Sequence, residues 1–382
     1  MNTKNQHLSY WETQSFLSYD VIIIGAGISG LSTAISLAEK SPSFSILVLE
    51  KSLFPSGAST KNAGFACFGS LSELLADIDL MGSENCLQLV KQRWNGLQKL
   101  RSRFTDNQLG YEALGGYELV KFSQPNYLAR MDEVNALLRP VFIDSVFKDV
   151  SIQLMEKGFN TDVFESLIFN PFEGQIDTGK TIDSLWQMAS KLGVKILTGA
   201  NVHSVREGQV IVNFQGKMTH FEASMVVLTT NAFTKQLVPA IELEPGRGQV
   251  LITHPIENLK CKGTFHVDEG YFYFRNVGNR LLLGGGRNLD IKGEQTTAFG
   301  INPKIEEHLR QMLKNDLLPG VDFEIERQWS GIMAFGNEKK PILEWSDSRT
   351  LLAVRLGGMG MAIGSELGEL ASDLVLDKLE KN

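Results

Sequence analysis

The chain has 382 residues, of which 43% are hydrophobic and 21% charged, with a formal net charge of −7. That length suits one large or two medium domains, and that composition excludes a disordered or fibrous class. The acidic balance, with no local basic cluster, argues against a nucleic-acid partner.

The first informative stretch is Val21–Lys40, VIIIGAGISGLSTAISLAEK, uncharged from Val21 to Ala38. Its length raises the question of a membrane span. Four apolar residues followed by Gly25, Gly27 and Gly30 suit a buried strand and a turn better than a lone helix. Glu12 and Asp20 precede the run where a signal peptide would be basic. The expectation is a chain without a transmembrane or targeting segment, in the cytoplasm.

Read as strand, turn and helix, Val21–Ile24 leads into the GxGxxG turn Gly25–Gly30. Leu31, Ala34, Ile35 and Ala38 then line one helix face. The first glycine permits the tight turn, the second lets backbone approach a pyrophosphate, and the third lets helix and strand pack closely. A second strand, Ser45–Leu49, ends at Glu50, placed to accept hydrogen bonds from ribose hydroxyls. Ile28 at the helix start and Lys51 beside the acid belong to the same dinucleotide-binding set. NAD and FAD both remain open on these residues.

Next comes the small, polar run Gly57–Gly64. Residues 71–104 read as helical, with Leu87, Val90, Trp94, Leu97 and Leu100 as a core-facing stripe. Further helices are expected near Tyr127–Leu138 and over 180–192. Strands are expected at Val194–Leu197, Val202–Val205 and Val226–Thr229, the last running into Thr230-Asn231. From about 245 to 335 the pattern is strand-rich: Gln249–Thr253, Tyr271–Arg275, Arg280–Gly284 and Phe323–Ser330, with a helical insert over Lys304–Leu313. Leu351–Arg355 is a final strand, followed by the glycine-rich Gly357–Gly364 and a helix. In that helix Leu367, Leu370, Ala371 and Leu374 share a face, with Glu366 and Glu369 expected in its first turn to complement the helix dipole. Cys67, Cys86 and Cys261 lie far apart without CxxC spacing, which argues against a disulfide framework or zinc site. Nucleotide-type strands at the start, middle and end imply a discontinuous domain with a β-rich domain inserted in two pieces.

This arrangement resembles the FAD-dependent oxidoreductases of the D-amino-acid oxidase family over nearly the whole chain. The resemblance rests on DVIIIGAGISGLSTA, GASTKNAG, GQIDTGKTIDSLWQMASKLGVKI, PGRGQVL, RLLLGGG and GGMGMAIGSELGELA, in that order. It implies an α/β fold: a Rossmann-like FAD-binding domain of the glutathione-reductase type and an inserted α+β substrate domain on a mixed, largely antiparallel sheet. The boundaries expected are 1–75, 170–240 and 336–382 for FAD, and 76–169 and 241–335 for substrate. Carried onto matching positions, Gly25, Gly27 and Gly30 hold the pyrophosphate and Glu50 the ribose. Ser59, Thr60, Asn62, Ala63 and Gly64 lie along the ribityl chain and flavin ring. Val202 meets adenine, Thr230 joins the cofactor set, and Gly358, Met359, Gly360 and Met361 lie beside the pyrimidine edge.

The implied chemistry is oxidation of a C–N bond in a small amine or amino acid, with hydride passing to flavin N5 and the imine hydrolysing. Oxygen or a quinone or other carrier takes the electrons. The sequence departs from the family at the substrate anchor. Where relatives carry an arginine in a Gly-x-Arg-Pro stretch, Gly331-Ile332-Met333 places Met333, which cannot pair with a carboxylate. The neighbourhood is nearer to γ-glutamylputrescine oxidase-type amine oxidases, with Tyr273, Arg275, Lys61, Trp329 and Met333 as candidates for the reacting end. Tyr271 and Tyr273 equally suit plain packing on a strand face. Arg247 reads as structural, and His254 and His266 as ordinary strand residues. No cysteine occupies the usual flavin-attachment stretch near 333–336, so the FAD is expected to be non-covalent. Two other readings stay open: a flavin-binding assembly protein without turnover, and an NAD-dependent dehydrogenase.

Overall fold

The computed structural model describes residues 8–381. Strand Ser18–Ile24 is the centre of the first of two eight-stranded sheets. Its side chains alternate between two cores: Val21 and Ile23 enter one, Ile22 and Ile24 the other. A strand buried on both faces needs an unbroken apolar run, and this is why VIII resembles a membrane segment in composition. It pairs in parallel with Ile46–Leu49 on one side and Lys217–Leu228 on the other. Lys195–Leu197 and Thr350–Val354 extend the parallel set outward. Asn201–Arg206 and Gln209–Phe214 form an antiparallel meander with Lys217–Leu228.

Helices Ile28–Lys40, Ser83–Arg103 and Gly360–Glu380 pack over one face of this sheet. Small residues line the crossing, so that Ser32 Oγ reaches Ser365 Oγ at 3.3 Å. The last helix corrects one expectation. It begins at Gly360, so Glu366 and Glu369 lie beyond its first turn, which contains no acid. Both instead face Lys99 of the neighbouring helix, with Glu366 at 2.9 Å. Of the expected apolar stripe, Leu367 and Ala371 are buried while Leu370 is 37% exposed.

The second sheet is mixed and largely antiparallel. Its order runs Ile325–Phe335, Glu244–Thr253, Arg280–Gly285, Phe272–Val277, Thr264–Val267, Gly116–Lys121, Phe164–Asn170 and Lys148–Asp149. Only Thr264–Val267 and Gly116–Lys121 run parallel. Period-two alternation sends Phe272 and Phe274 into a core with Phe265, where the Phe265 and Phe274 rings stack at 4.6 Å. Tyr273 and Arg275 therefore face the opposite way. Helix Pro303–Met312 covers the core side and continues as a π-turn through Leu313–Leu317. A two-stranded ribbon, Phe65–Ala66 with Gly174–Gln175, lies apart from both large sheets. Among the described residues no helix is long and apolar enough to cross a membrane.

Candidate active site

A cavity of about 650 Å³ opens where four parallel strands of the first sheet end, against one face of the second sheet. Ile24, Leu49, Thr229 and Arg355, at or just past those strand ends, all line it. The carboxyl ends of parallel strands are where open α/β sheets bind ligands.

At one end the wall is mostly backbone. Helix Ile28–Lys40 begins at the cavity, and the Ile28 N–H donates to Ser59 Oγ at 3.0 Å. A Cβ on Gly27 would sit 2.9 Å from that oxygen, and one on Gly30 only 1.9 Å from Gly25 O. The first keeps the approach to the helix N-terminus clear; the second brings helix and strand together. Glu50 is buried and accepts from Ala26 N–H at 3.1 Å and Ser52 N–H at 3.0 Å. Burial raises its carboxyl pKa, with those two N–H groups and Lys51 opposing the shift. Lys51, Ser59, Asn62, Ala63, Val202 and Thr230 also line the cavity.

A second helix N-terminus faces the same space. Gly358, Met359, Gly360 and Met361 line it, and helix Gly360–Glu380 has no side-chain cap; its Ala362 N–H bonds Met359 O at 3.1 Å, which leaves the Gly360 and Met361 N–H groups for an anion. Gly30, Thr60 and Gly64 are not on the wall. Thr60 Oγ1 donates to Pro55 O at 2.8 Å and Gly64 N–H to Asn62 Oδ1 at 2.8 Å, so both shape the loop that carries the lining residues. Two helix N-termini, a buried ribose-type carboxylate and a bare glycine approach together fit an FAD.

The other end is made of side chains. Tyr273, Met333 and Lys61 line it. Burial pushes the Tyr273 phenol up to about 12, and its ring meets Phe65 edge-on at 5.7 Å. The Lys61 ammonium lies 5.1 Å over the Phe299 ring. Trp329 and Arg275 are not among the lining residues. The Trp329 indole donates to Lys61 O at 2.9 Å, bracing the lysine's backbone. Arg275 is buried behind Gly64, where a Cβ would meet its Nη2 at 2.9 Å, and burial lowers its pKa to about 10. Arg247 is held by Glu294 through two 2.8 Å bonds.

Several lining residues escaped the sequence reading. Arg287 follows the glycine-rich end of Arg280–Gly285, its guanidinium 4.1 Å from the Phe335 ring centroid. It has no ion-pair partner among the described residues, and burial lowers its pKa. Its signal was the run Gly284-Gly285-Gly286-Arg287, a cation at a forced turn. Cys67, Glu73 and His266 also line the cavity. His266 is buried between carboxylates, so its environment is not that of an ordinary strand residue.

Residues 20–374 match the family described as FAD dependent oxidoreductase. The chain is 27% identical over 371 residues to the bifunctional protein ThiO/ThiG of Synechocystis, covering 94% of this chain and 52% of that protein. It therefore spans about half the length of that relative. It is 24% identical over 376 residues to glycine oxidase of Geobacillus kaustophilus, covering 94% and 93% of the two chains. L-proline dehydrogenase from P. horikoshii shares the fold, with a TM-score of 0.76 at 16% identity and 94% of each chain covered. The chain belongs to the family of FAD-dependent oxidoreductases, and its cofactor is FAD.

Proposed function

We propose that the protein oxidises the C–N bond of a small amine or amino acid to an imine, which hydrolyses in water. Bound FAD supplies the acceptor for the hydride that leaves the carbon beside a neutral amine nitrogen. The chain's own residues bind, orient and exclude water. Gly25, Gly27 and Ile28 present the first helix N-terminus to the pyrophosphate, and Glu50 takes the ribose. Residues 358–361 present the second N-terminus to the flavin's electron-rich edge. The FAD is held without a covalent bond. Cys67, the one cysteine on the cavity wall, has a thiol that burial pushes up to about 11, far from a ready nucleophile. Flavin remaining on the denatured polypeptide would contradict this.

The observation that carries the substrate reading is Arg287. It is a half-buried cation on the cavity wall with no ion-pair partner among the described residues, 4.1 Å from the Phe335 ring centroid, and Tyr273 and Met333 line the same cavity. It anchors a substrate carboxylate in place of the arginine that Met333 replaces. Tyr273 stays protonated through the physiological range and offers a hydrogen bond to the bound substrate. Phe65, Met333 and Phe335 keep water away from the reacting carbon. The division of labour assigns 1–75, 170–240 and 336–382 to FAD and the remaining strands to substrate, in a cytoplasmic enzyme passing electrons to oxygen or to a carrier. Turnover of glycine, N-methylglycine, D- and L-amino acids and simple amines tests this. Peroxide and artificial-dye reduction are followed side by side. Ammonia or amine release with one of these substrates is expected; absence of product from every class, with FAD bound, would contradict the reading.

A further inference from the structure

We propose that Cys67, Glu173 and His266 form a binding site for one divalent cation of the zinc class on the wall of the cavity. The three side chains offer a thiol sulfur, a carboxylate oxygen and an imidazole nitrogen, all within 4.8 Å of one another and all buried. Thiolate, imidazole and carboxylate are the donor types that bind zinc in three-ligand sites with one open position.

The decisive atom is His266 Nε2. It is buried and, among the described residues, has no partner at ordinary hydrogen-bond distance, in a residue only 5% exposed. Its nearest acidic neighbour, Glu173 Oε2, lies 3.6 Å away. That is long for a charge-assisted hydrogen bond. It is close to the roughly 3.4 Å that separates two ligand atoms of a tetrahedral zinc with bonds of about 2.0–2.1 Å. The imidazole's other nitrogen, Nδ1, faces Glu73 Oε2 at 3.7 Å. A carboxylate there favours the tautomer that leaves the Nε2 lone pair free for metal. Glu173 is fixed from behind, its Oε1 accepting the Phe68 N–H at 3.1 Å.

Charge points the same way. Glu118 stands directly opposite His266 in the strand register and is buried, bonded to Ser70 and Ser72. Glu73, Glu118 and Glu173 thus surround a single imidazole. The nearby buried Arg93 donates to Phe68 O and, among the described residues, forms no ion pair with a carboxylate. Two carboxylates, Glu73 and Glu173, face the one imidazole at 3.7 and 3.6 Å, so a cation is accommodated there. Cys67 and His266 line the cavity while Glu173 does not, so the open position faces the cavity. Met359 Sδ lies at its edge, 3.8 Å from Cys67 Sγ. Binding converts the Cys67 thiol to thiolate and releases that proton to solvent, along with any proton held on Nε2. No electron transfer is involved.

The test uses the FAD-loaded protein, treated with chelator and checked for unchanged flavin content, then titrated with Zn(II) by calorimetry. One equivalent is expected to bind with net proton release. Cys67→Ser and His266→Gln, each retaining flavin, should lose more than the roughly 10–100-fold in affinity that outer-shell changes cost. Should His266→Gln fail to fold, the near-isosteric Cys67→Ser decides. A wild-type protein that takes up no stoichiometric Zn(II), or a Cys67→Ser variant that binds as the wild type does, would overturn the assignment.

Discussion

The two ends of the cavity are built on different principles. One end is mostly backbone: helix N-termini, Gly25, Gly27 and Gly30 with no room for a side chain, and one carboxylate fixed by two N–H groups. The other end is side chains, with Tyr273 and Met333 from two strands of the second sheet and Arg287 from the turn after Arg280–Gly285. A backbone site tolerates little change because each substitution enters space the ligand needs. A side-chain site can move its charge to another element and still receive a similar ligand, and the proposed function uses Arg287 in this way where Met333 stands in the place of an arginine.

Mutations separate the two ends. Gly27→Val has the largest expected effect: its side chain meets Ser59 and fills the pyrophosphate approach, so flavin content should fall to background absorbance. Stoichiometric FAD in that variant would break the backbone account. Arg287→Ala should leave flavin content intact and cost about 2 kcal/mol, roughly thirtyfold in KM, for a substrate carrying a carboxylate. A carboxylate-free amine should be unaffected, and equal losses for both would remove Arg287 as the anchor.

Glu50→Gln sharpens the contrast by pH. Ribose hydroxyls favour the ionised carboxylate, so wild-type FAD affinity is full at neutral pH. It falls as pH drops through a carboxyl pKa that burial has raised. The variant should bind FAD more weakly, by about 1 kcal/mol, without that acid limb. An acid limb unchanged in the variant would assign it elsewhere. The smallest effect is expected from Arg275→Met. Arg275 lies behind Gly64 and off the cavity wall, so KM should change less than about twofold, within the usual scatter of remote substitutions. A KM increase confined to carboxylate substrates would return it to the site.

Legibility in the sequence follows the same divide. Gly25, Gly27, Gly30 and Glu50 fall within 26 residues, and their spacing is dictated by one strand–turn–helix–strand unit, so that unit could be read directly. Strand Lys217–Leu228 was visible only at its apolar end, because KMTHFE carries little alternation and pairs in a half-exposed meander. The helix Gly360–Glu380 hid its start behind glycines, which moved Glu366 and Glu369 out of the first turn. Cys67, Glu173 and His266 come from three separate parts of the chain, and no spacing rule joins them before the fold does. Trp329 and Arg275 have residue types that suit a substrate and share strand faces with Met333 and Tyr273, but they lie further along those strands and off the cavity wall, and where the wall ends is set by tertiary packing.

The most direct test of the central claim is anaerobic mixing of the purified FAD-loaded protein with amines, N-methylamines and D- and L-amino acids, following the flavin's visible absorbance. Bleaching by at least one class, saturating with concentration, is the predicted result. A flavin that stays oxidised with every class, while fully bound, would contradict the catalytic account and favour a flavin-binding protein that has kept the fold without turnover.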